Sequence, residues 1–267
     1  MEILGYIASV IIGISLGMVG SGGSILTVPV LVYLMNIDPL LATTSSLFIV
    51  GTTSLVGGLR AYSKKLVDFR AVTEFGIPSI FSIFITRHYI LPALPDNIFS
   101  IGAMQVSKAM FLMVVFALLM LVASVSMIRN NNNEQKAADS ESSRQNKVLP
   151  LVILGILVGF VTGLLGAGGG FLIIPSLVLF LRLPMKIAVG TSLLIIAINS
   201  LFGFLFSLKQ FEYNWVILIV FTILAIAGIF IGSRLADKIP GSSLKKGFGW
   251  FILAMGIYII VKEVFLK

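Results

Sequence analysis

The sequence predicts an all-α, polytopic integral membrane protein made of two homologous halves in inverted topology. Three observations predict it. First, 58% of the 267 residues are hydrophobic and only 11% are charged, with a mean hydropathy of +1.08. A soluble domain carries roughly 25% charge to cover its surface, so lipid must be the solvent here. Second, one glycine pattern occurs twice, 146 residues apart. Gly13, Gly17, Gly20, Gly22, Gly23 and Pro29 recur as Gly159, Gly163, Gly166, Gly168, Gly169 and Pro175. Third, lysines and arginines fall unevenly on the two sides of the membrane once the segments are threaded through it. With no water in the bilayer core, each span must pair its own backbone, and helices do so. The apolar runs are too long and unbroken for the alternating strands of a membrane barrel.

Ten apolar segments follow in order. In the first half they are 3–19, 25–35, 40–60, 71–87 and a long stretch, 98–128. In the second they are 148–165, 171–181, 187–208, 213–232 and 247–262. Residues 1–129 thus form a first transmembrane repeat and 148–267 a second. Between them, 130–147 is a polar, low-complexity linker of the kind that cannot bury enough apolar surface to order itself. The second segment of each half is short: eleven residues for 25–35, about 17 Å of helix against a hydrocarbon core of about 30 Å. With its predecessor it reads as a Gly-tipped helical hairpin. Three spanning helices complete each half.

Hairpins that return the chain to the side it came from leave three further crossings per half, an odd number, which inverts the second half. Fourteen lysines and arginines then lie on the linker side and four (Arg87, Lys209, Lys262 and Lys267) on the side of both termini. Treating each hairpin as a single span gives a weaker 11 to 7 split. The positive-inside rule favours the hairpins, with both termini outside and the linker cytoplasmic. The start of the chain, with Glu2 and no small-residue cleavage site, does not read as a cleavable signal peptide.

Candidate chemistry concentrates at the hairpin tips, Gly20-Ser21-Gly22-Gly23-Ser24 and Gly166-Ala167-Gly168-Gly169-Gly170. Each leads into a new helix whose first N–H groups lack intrahelical partners and whose dipole favours negative charge. Two such ends near the midplane would bind an anion. A duplicated glycine-broken segment is also the best sequence pointer to a transporter's substrate site, although small residues serve equally for close helix packing. In register beyond the tips lie Ser46 with Ser192, within Thr43–Ser46 and Gly190–Ser192, and Ser54 with Ser200, beside Asn199. Hydroxyls and amides can hydrogen-bond an oxyanion without adding charge, or can bond between helices. The substrate-lining set is therefore Gly20, Ser21, Gly22, Gly23, Ser24, Ser46, Gly166, Gly168, Gly169, Gly170, Ser192 and Asn199. Glu74 and His88 are placed at the interface, His88 beside Arg87 at a segment end. Lys108 is placed at a break between two shorter helices within 98–128.

The inventory argues against an enzyme. There is no cysteine, one histidine and no cluster of deep carboxylates, which excludes thiol and His-Glu-x-x-His metalloprotease chemistry. No metal or cofactor is called for, and no P-loop supplies an ATP motor. The net charge of +8 sits in the loops, where it reads as topology, so no nucleic-acid partner is expected. The partners are a small anion, membrane lipid and, as an open point, a second copy in a homodimer.

The duplicated glycine–proline motif and the clusters Thr43–Ser46 and Gly190–Ser192 resemble the sulfite exporter TauE/SafE family over nearly the whole chain outside the linker. The resemblance implies two homologous halves and a bacterial inner-membrane transporter of sulfite, sulfoacetate or another organosulfonate. It implies that Gly20, Gly22, Gly23, Pro29, Gly166, Gly168, Gly169 and Pro175 are the family's small-residue motifs. Ser24 stands where the second copy has Gly170, so the two tips need not be equivalent. Related thiosulfate-uptake proteins use cysteines, which this chain lacks. The sequence thus reads as a secondary transporter or facilitator exporting a small sulfur-containing anion. An anion channel-like pore and a non-transporting membrane scaffold or sensor remain as alternatives.

Overall fold

The computed structural model describes residues 2–20, 23–95, 97–101, 104–129, 148–166, 168–181, 183–236 and 241–265. Ser21, Gly22 and the linker 130–147 lie outside them. The first hairpin is α1 (Glu2–Val19) and α2 (Ser24–Tyr33). It is followed by α3 (Pro39–Ser63) and α4 (Phe69–Ile85). Asp38 and Asp68 cap these two helices by accepting from backbone N–H groups of their first turns, as short acceptor side chains do at helix starts.

α4 runs on through a π-helical turn, Thr86–Ile90, into α5 (Leu91–Ala93). Two strands, β1 (Asn97–Ile101) and β2 (Met104–Ser107), then pair antiparallel. The long stretch 98–128 is therefore not all helix. It opens with a ribbon, and α6 (Lys108–Arg129) starts at the lysine that marks the break. The Lys108 ammonium donates to the carbonyls of Leu91 and, at 3.2 Å, Leu94, tying the end of α5 to the start of α6. The second part of the chain holds α7 (Val148–Leu165), α8 (Gly170–Phe180), α9 (Met185–Ser207), α10 (Trp215–Ala236) and α11 (Gly241–Phe265).

Among the described residues four helices are long and apolar enough to cross a membrane: Pro39–Ser63, Phe69–Ala93, Met185–Ser207 and Trp215–Leu235. α2, with ten residues, reaches only about 15 Å. The outer faces are apolar, as a lipid-facing surface must be. Ile77 and Phe81 on α4, Leu149, Ile153 and Ile156 on α7, and Val216, Val220 and Ile223 on α10 all lie exposed at helical spacing. The interior is the more polar part. Its buried residues include Thr43, Ser46, Ser54, Ser79, Ser192, Asn199 and Ser200.

Packing pairs the helices across the chain. α3 lies against α9, α6 against α11, α1 against α10 and α7 against α4. Glycines allow backbone-level approach in the last two pairs. A Cβ at Gly17 would meet the Ile229 carbonyl oxygen at 2.5 Å, and one at Gly159 the Ser79 carbonyl oxygen at 2.3 Å. These two repeated glycines serve helix packing, while the tip glycines face a different environment.

Candidate functional site

The two hairpin tips close onto the α3–α9 pair, each onto the helix from the other part of the chain. A Cβ at Gly20 would lie 2.6 Å from Val189 Cγ1 on α9, and one at Gly166 would lie 2.0 Å from the Thr43 carbonyl oxygen on α3. Gly20 (φ 79°) and Gly166 (φ 69°) end the incoming helices in the left-handed region, which a glycine enters without steric cost. Gly168 sits deepest. Its missing Cβ would meet Val50, Ile196 and Ser200 at 3.0 Å each, near the middles of α3 and α9. The second tip thus reaches the centre of the molecule.

Neither helix that leaves a tip has a side-chain cap: Gly23 precedes α2 and Gly169 precedes α8. Both ends are buried, at Gly23, Ser24, Gly168, Gly169 and Gly170. The first N–H groups of a helix lack partners one turn back; here those of Leu26, Leu172 and Ile173 already donate to the Gly23 and Gly169 carbonyls, so only the N–H groups nearest each tip are candidate donors inside the protein. The tips are not identical. Gly169 is left-handed (φ 66°, ψ 3°) whereas Gly23 is right-handed (φ −66°, ψ −26°), in line with the difference between Ser24 and Gly170. α2 and α8 touch each other.

The predicted hydroxyls separate into two groups by what they bond. Ser46 Oγ donates to the Gly166 carbonyl and lies 2.9 Å from that of Thr43. Ser192 Oγ donates to the Val189 carbonyl at 2.8 Å. Their single hydroxyl hydrogens are therefore engaged by backbone, and Ser46 fixes the second tip. Thr191 Oγ1 accepts from the Asp68 N–H at 2.9 Å, which holds the connection between α3 and α4. The second group has donors to spare. Asn199 Oδ1 lies 2.8 Å from Ser79 Oγ, whose single hydrogen it shares with the Gly76 carbonyl at 2.8 Å, and its Nδ2 has no partner among the described residues. Thr53, Ser54 and Ser200 hydroxyls are likewise buried and without partners there. Ser200 adjoins Gly168, so one unused hydroxyl lies against the deepest tip and the others lie on the same two helices, α3 and α9.

Two charged residues depart from the sequence reading. Arg87, counted above as an outer-loop charge, is fully buried in the π-helical turn. Its Nη1 donates to Thr44 Oγ1 at 2.8 Å on α3 and to Ser207 Oγ at 3.4 Å on α9. The physical reason is register. Ser79, Ile83 and Arg87 recur every four residues on the inward stripe of α4, with Ser82 and Thr86 beside them, and the helix carries that stripe past the segment end read from hydropathy. The nearby Tyr213 phenol donates to the Ser207 carbonyl at 2.9 Å. Burial pushes that phenol up to about 12, against the pull of the Arg87 charge, so it stays neutral.

Glu263 is the second departure: a buried carboxylate where none was expected. It accepts from the Tyr33 hydroxyl at 2.9 Å, while Lys262 lies 4.3 Å from the Tyr33 ring centroid. No local pattern near the end of α11 announces this contact with α2, which spans 230 residues of sequence. Glu74 pairs with Arg70 at 2.6 Å in the first turns of α4. His88 stacks on Phe84.

An apolar outer face, helices of spanning length, and hairpins that bury uncapped helix starts beside unused donors together define a multi-pass membrane transporter. Sequence comparison agrees. Residues 5–259 match the sulfite exporter TauE/SafE family, and the chain belongs to that family. It is 29% identical over 266 residues to a probable membrane transporter protein of Xylella fastidiosa, covering 94% of this chain and 91% of that one. It is 26% identical over 274 residues to a probable membrane transporter protein of Methanocaldococcus jannaschii, with 94% of each chain covered. It is 25% identical over 252 residues to the probable membrane transporter protein YunE of Bacillus subtilis, covering 88% of this chain and 89% of the relative. No solved structure matches.

Proposed function

We propose that the protein is a secondary transporter or facilitator of a small sulfur-containing anion, sulfite or an organosulfonate, and that it exports this anion across the bacterial inner membrane. One observation carries the reading: two uncapped helix starts are buried against helices that offer unpartnered donors. The N–H groups at Gly168–Gly170 and that of Ile25 would take the anion's oxygens. Ser200, Ser54 and the Asn199 amide would complete the shell, with Gly20, Ser21, Gly22 and Ser24 forming the first tip. Ser46 and Ser192 would shape the tips through their backbone bonds. Neutral donors at the tips can replace the hydration shell of the anion there.

We read the chain as two repeats, 1–129 and 148–267, inverted about the membrane plane and joined by a cytoplasmic linker, 130–147, with both termini outside. α6 and α11 count as spans beside the four helices named above as long and apolar enough to cross a membrane. The exchanged packing supports the repeat. α10 stands to α1 as α4 stands to α7, and Gly166 and Val189 stand 146 positions after Gly20 and Thr43. Alternating access would rock the hairpins against the remaining helices. A membrane potential negative inside favours anion efflux by about 2.3 kcal/mol per charge per 100 mV, so export needs no resident motor. The test is flux in proteoliposomes across a panel of sulfite, sulfate, organosulfonates and halides. Saturable, stereotyped preference for sulfite or a sulfonate is expected. Equal flux of all anions would point to a pore, and no flux above protein-free vesicles would overturn the proposal.

A further inference from the structure

We infer that Arg87 is an anion-binding residue of the transport path and that its open guanidinium edge selects oxyanions over halides. This inference rests on the anion-transport reading above and adds to it a charged subsite that the glycine motifs do not reveal. Arg87 is fully buried, and among the described residues no carboxylate lies within ion-pair distance. The guanidinium's only hydrogen-bond partners there are two neutral hydroxyls, both reached through Nη1. Nε and Nη2 have no partner among the described residues. An unpaired buried guanidinium is strongly unfavourable, and the neutral Tyr213 phenol does not compensate it. A charge kept under those conditions calls for a counter-ion that comes and goes.

The geometry states what that counter-ion is. Nε and Nη2 project their N–H groups along one edge of the planar group, the fork that grips two oxygens of an oxyanion at once. A halide offers a single acceptor atom to both N–H groups, without the two-oxygen match of an oxyanion. The third edge is already turned to Thr44 and Ser207, so the guanidinium is held in place without a ligand. Its position also fits a path. Thr44 lies two residues before Ser46, which holds the Gly166 carbonyl. Ser207 lies seven residues beyond Ser200, about 10 Å along α9, and Ser200 adjoins Gly168. The guanidinium is therefore about two helical turns from the deep tip along the same two helices. The π-helical turn that carries it is a local distortion often found at functional sites. At the other end of α3 the arrangement is exchanged. Arg60 Nη1 donates to Ser233 Oγ at 2.5 Å, and Ser233 stands 146 positions after Arg87.

The experiment uses the full chain in lipid nanodiscs, with dissociation constants for sulfite, methanesulfonate and chloride measured on wild type, Arg87→Gln and Arg87→Lys. Arg87→Gln should weaken sulfite and methanesulfonate by roughly tenfold or more. Arg87→Lys should keep the charge yet lose most of the preference for the oxyanions over chloride. Unchanged oxyanion affinity in Arg87→Gln, with wild type binding, would overturn this inference alone. Failure of wild type to bind any of the three would overturn the transport reading and this inference with it. A crystal of wild type soaked in selenite, the heavier analogue of sulfite, decides the matter without a variant. An anomalous peak within hydrogen-bond reach of Nε and Nη2 supports the assignment, and a peak only elsewhere refutes it.

Discussion

Replacing Ser46 and Ser200 by alanine should give opposite signatures, although both are buried hydroxyls of the α3–α9 core. Ser46 donates to the Gly166 carbonyl at the second tip. Without it a buried acceptor loses its donor, which costs about 1–3 kcal/mol, and the anion-free protein should unfold at lower temperature. Ser200 has no partner among the described residues, so Ser200→Ala removes a hydroxyl whose burial is uncompensated and leaves anion-free stability unchanged or slightly higher. Its loss should instead appear in anion binding. A hydrogen bond to a charged acceptor is worth about 1.5–3 kcal/mol, or roughly 10- to 150-fold in dissociation constant. Thermal unfolding without anion and calorimetric titration with sulfite, on both variants, measure the two quantities. A Ser200→Ala protein that is destabilised when empty and binds sulfite with wild-type affinity would refute the reasoning, because it would make Ser200 a tie between helices.

Two further substitutions test the glycines, and one tests topology. Gly166→Ala should destabilise by about 2–5 kcal/mol, combining left-handed strain and overpacking, since its Cβ would meet the Thr43 carbonyl oxygen at 2.0 Å. Gly76→Ala should be neutral or stabilising by about 0.5–1 kcal/mol, because nothing lies within 4 Å of a Cβ there. Thermal unfolding of both variants checks this, and a harmless Gly166→Ala would contradict the tip geometry. Ser142→Cys, made in a chain with no cysteine, should resist an impermeant thiol reagent on intact cells. Ready labelling from outside would overturn the cytoplasmic linker.

Much of the fold was legible because the membrane imposes a simple code: long apolar runs become helices and glycine clusters break them. The segments read as 148–165 and 25–35 emerge as α7 and α2, with ends within two residues. The 98–128 stretch misled because hydropathy does not distinguish a β ribbon from the start of a helix, and Lys108 was the one sign of the change. Within the candidate site, duplication drew attention to the tips, and the placing of Gly168 among Val50, Ile196 and Ser200 was visible only in the structure. Which hydroxyls are left without partners was not legible, since Ser46 finds the Gly166 carbonyl of a distant segment beside that of Thr43 on its own helix, whereas Ser200 finds neither kind among the described residues. Arg87 was missed for a related reason. Hydropathy ends a span at a charge, whereas the four-residue spacing from Ser79 through Ile83 carries the inward face of α4 through Arg87. Glu263 meets Tyr33 only through tertiary packing, beyond any local pattern.

The central claim is that a small sulfur oxyanion crosses the membrane through the tip that Gly168 forms between α3 and α9. The most direct measurement compares voltage-driven efflux of radiolabelled sulfite from proteoliposomes holding wild type, Gly168→Val and Gly76→Ala at matched protein content. A side chain at Gly168 would push against Val50, Ile196 and Ser200 and block the helix start, while one at Gly76 meets nothing within 4 Å. The account predicts saturable sulfite efflux for wild type and Gly76→Ala, and efflux at the protein-free level for a folded, inserted Gly168→Val. Wild-type efflux from Gly168→Val would contradict it.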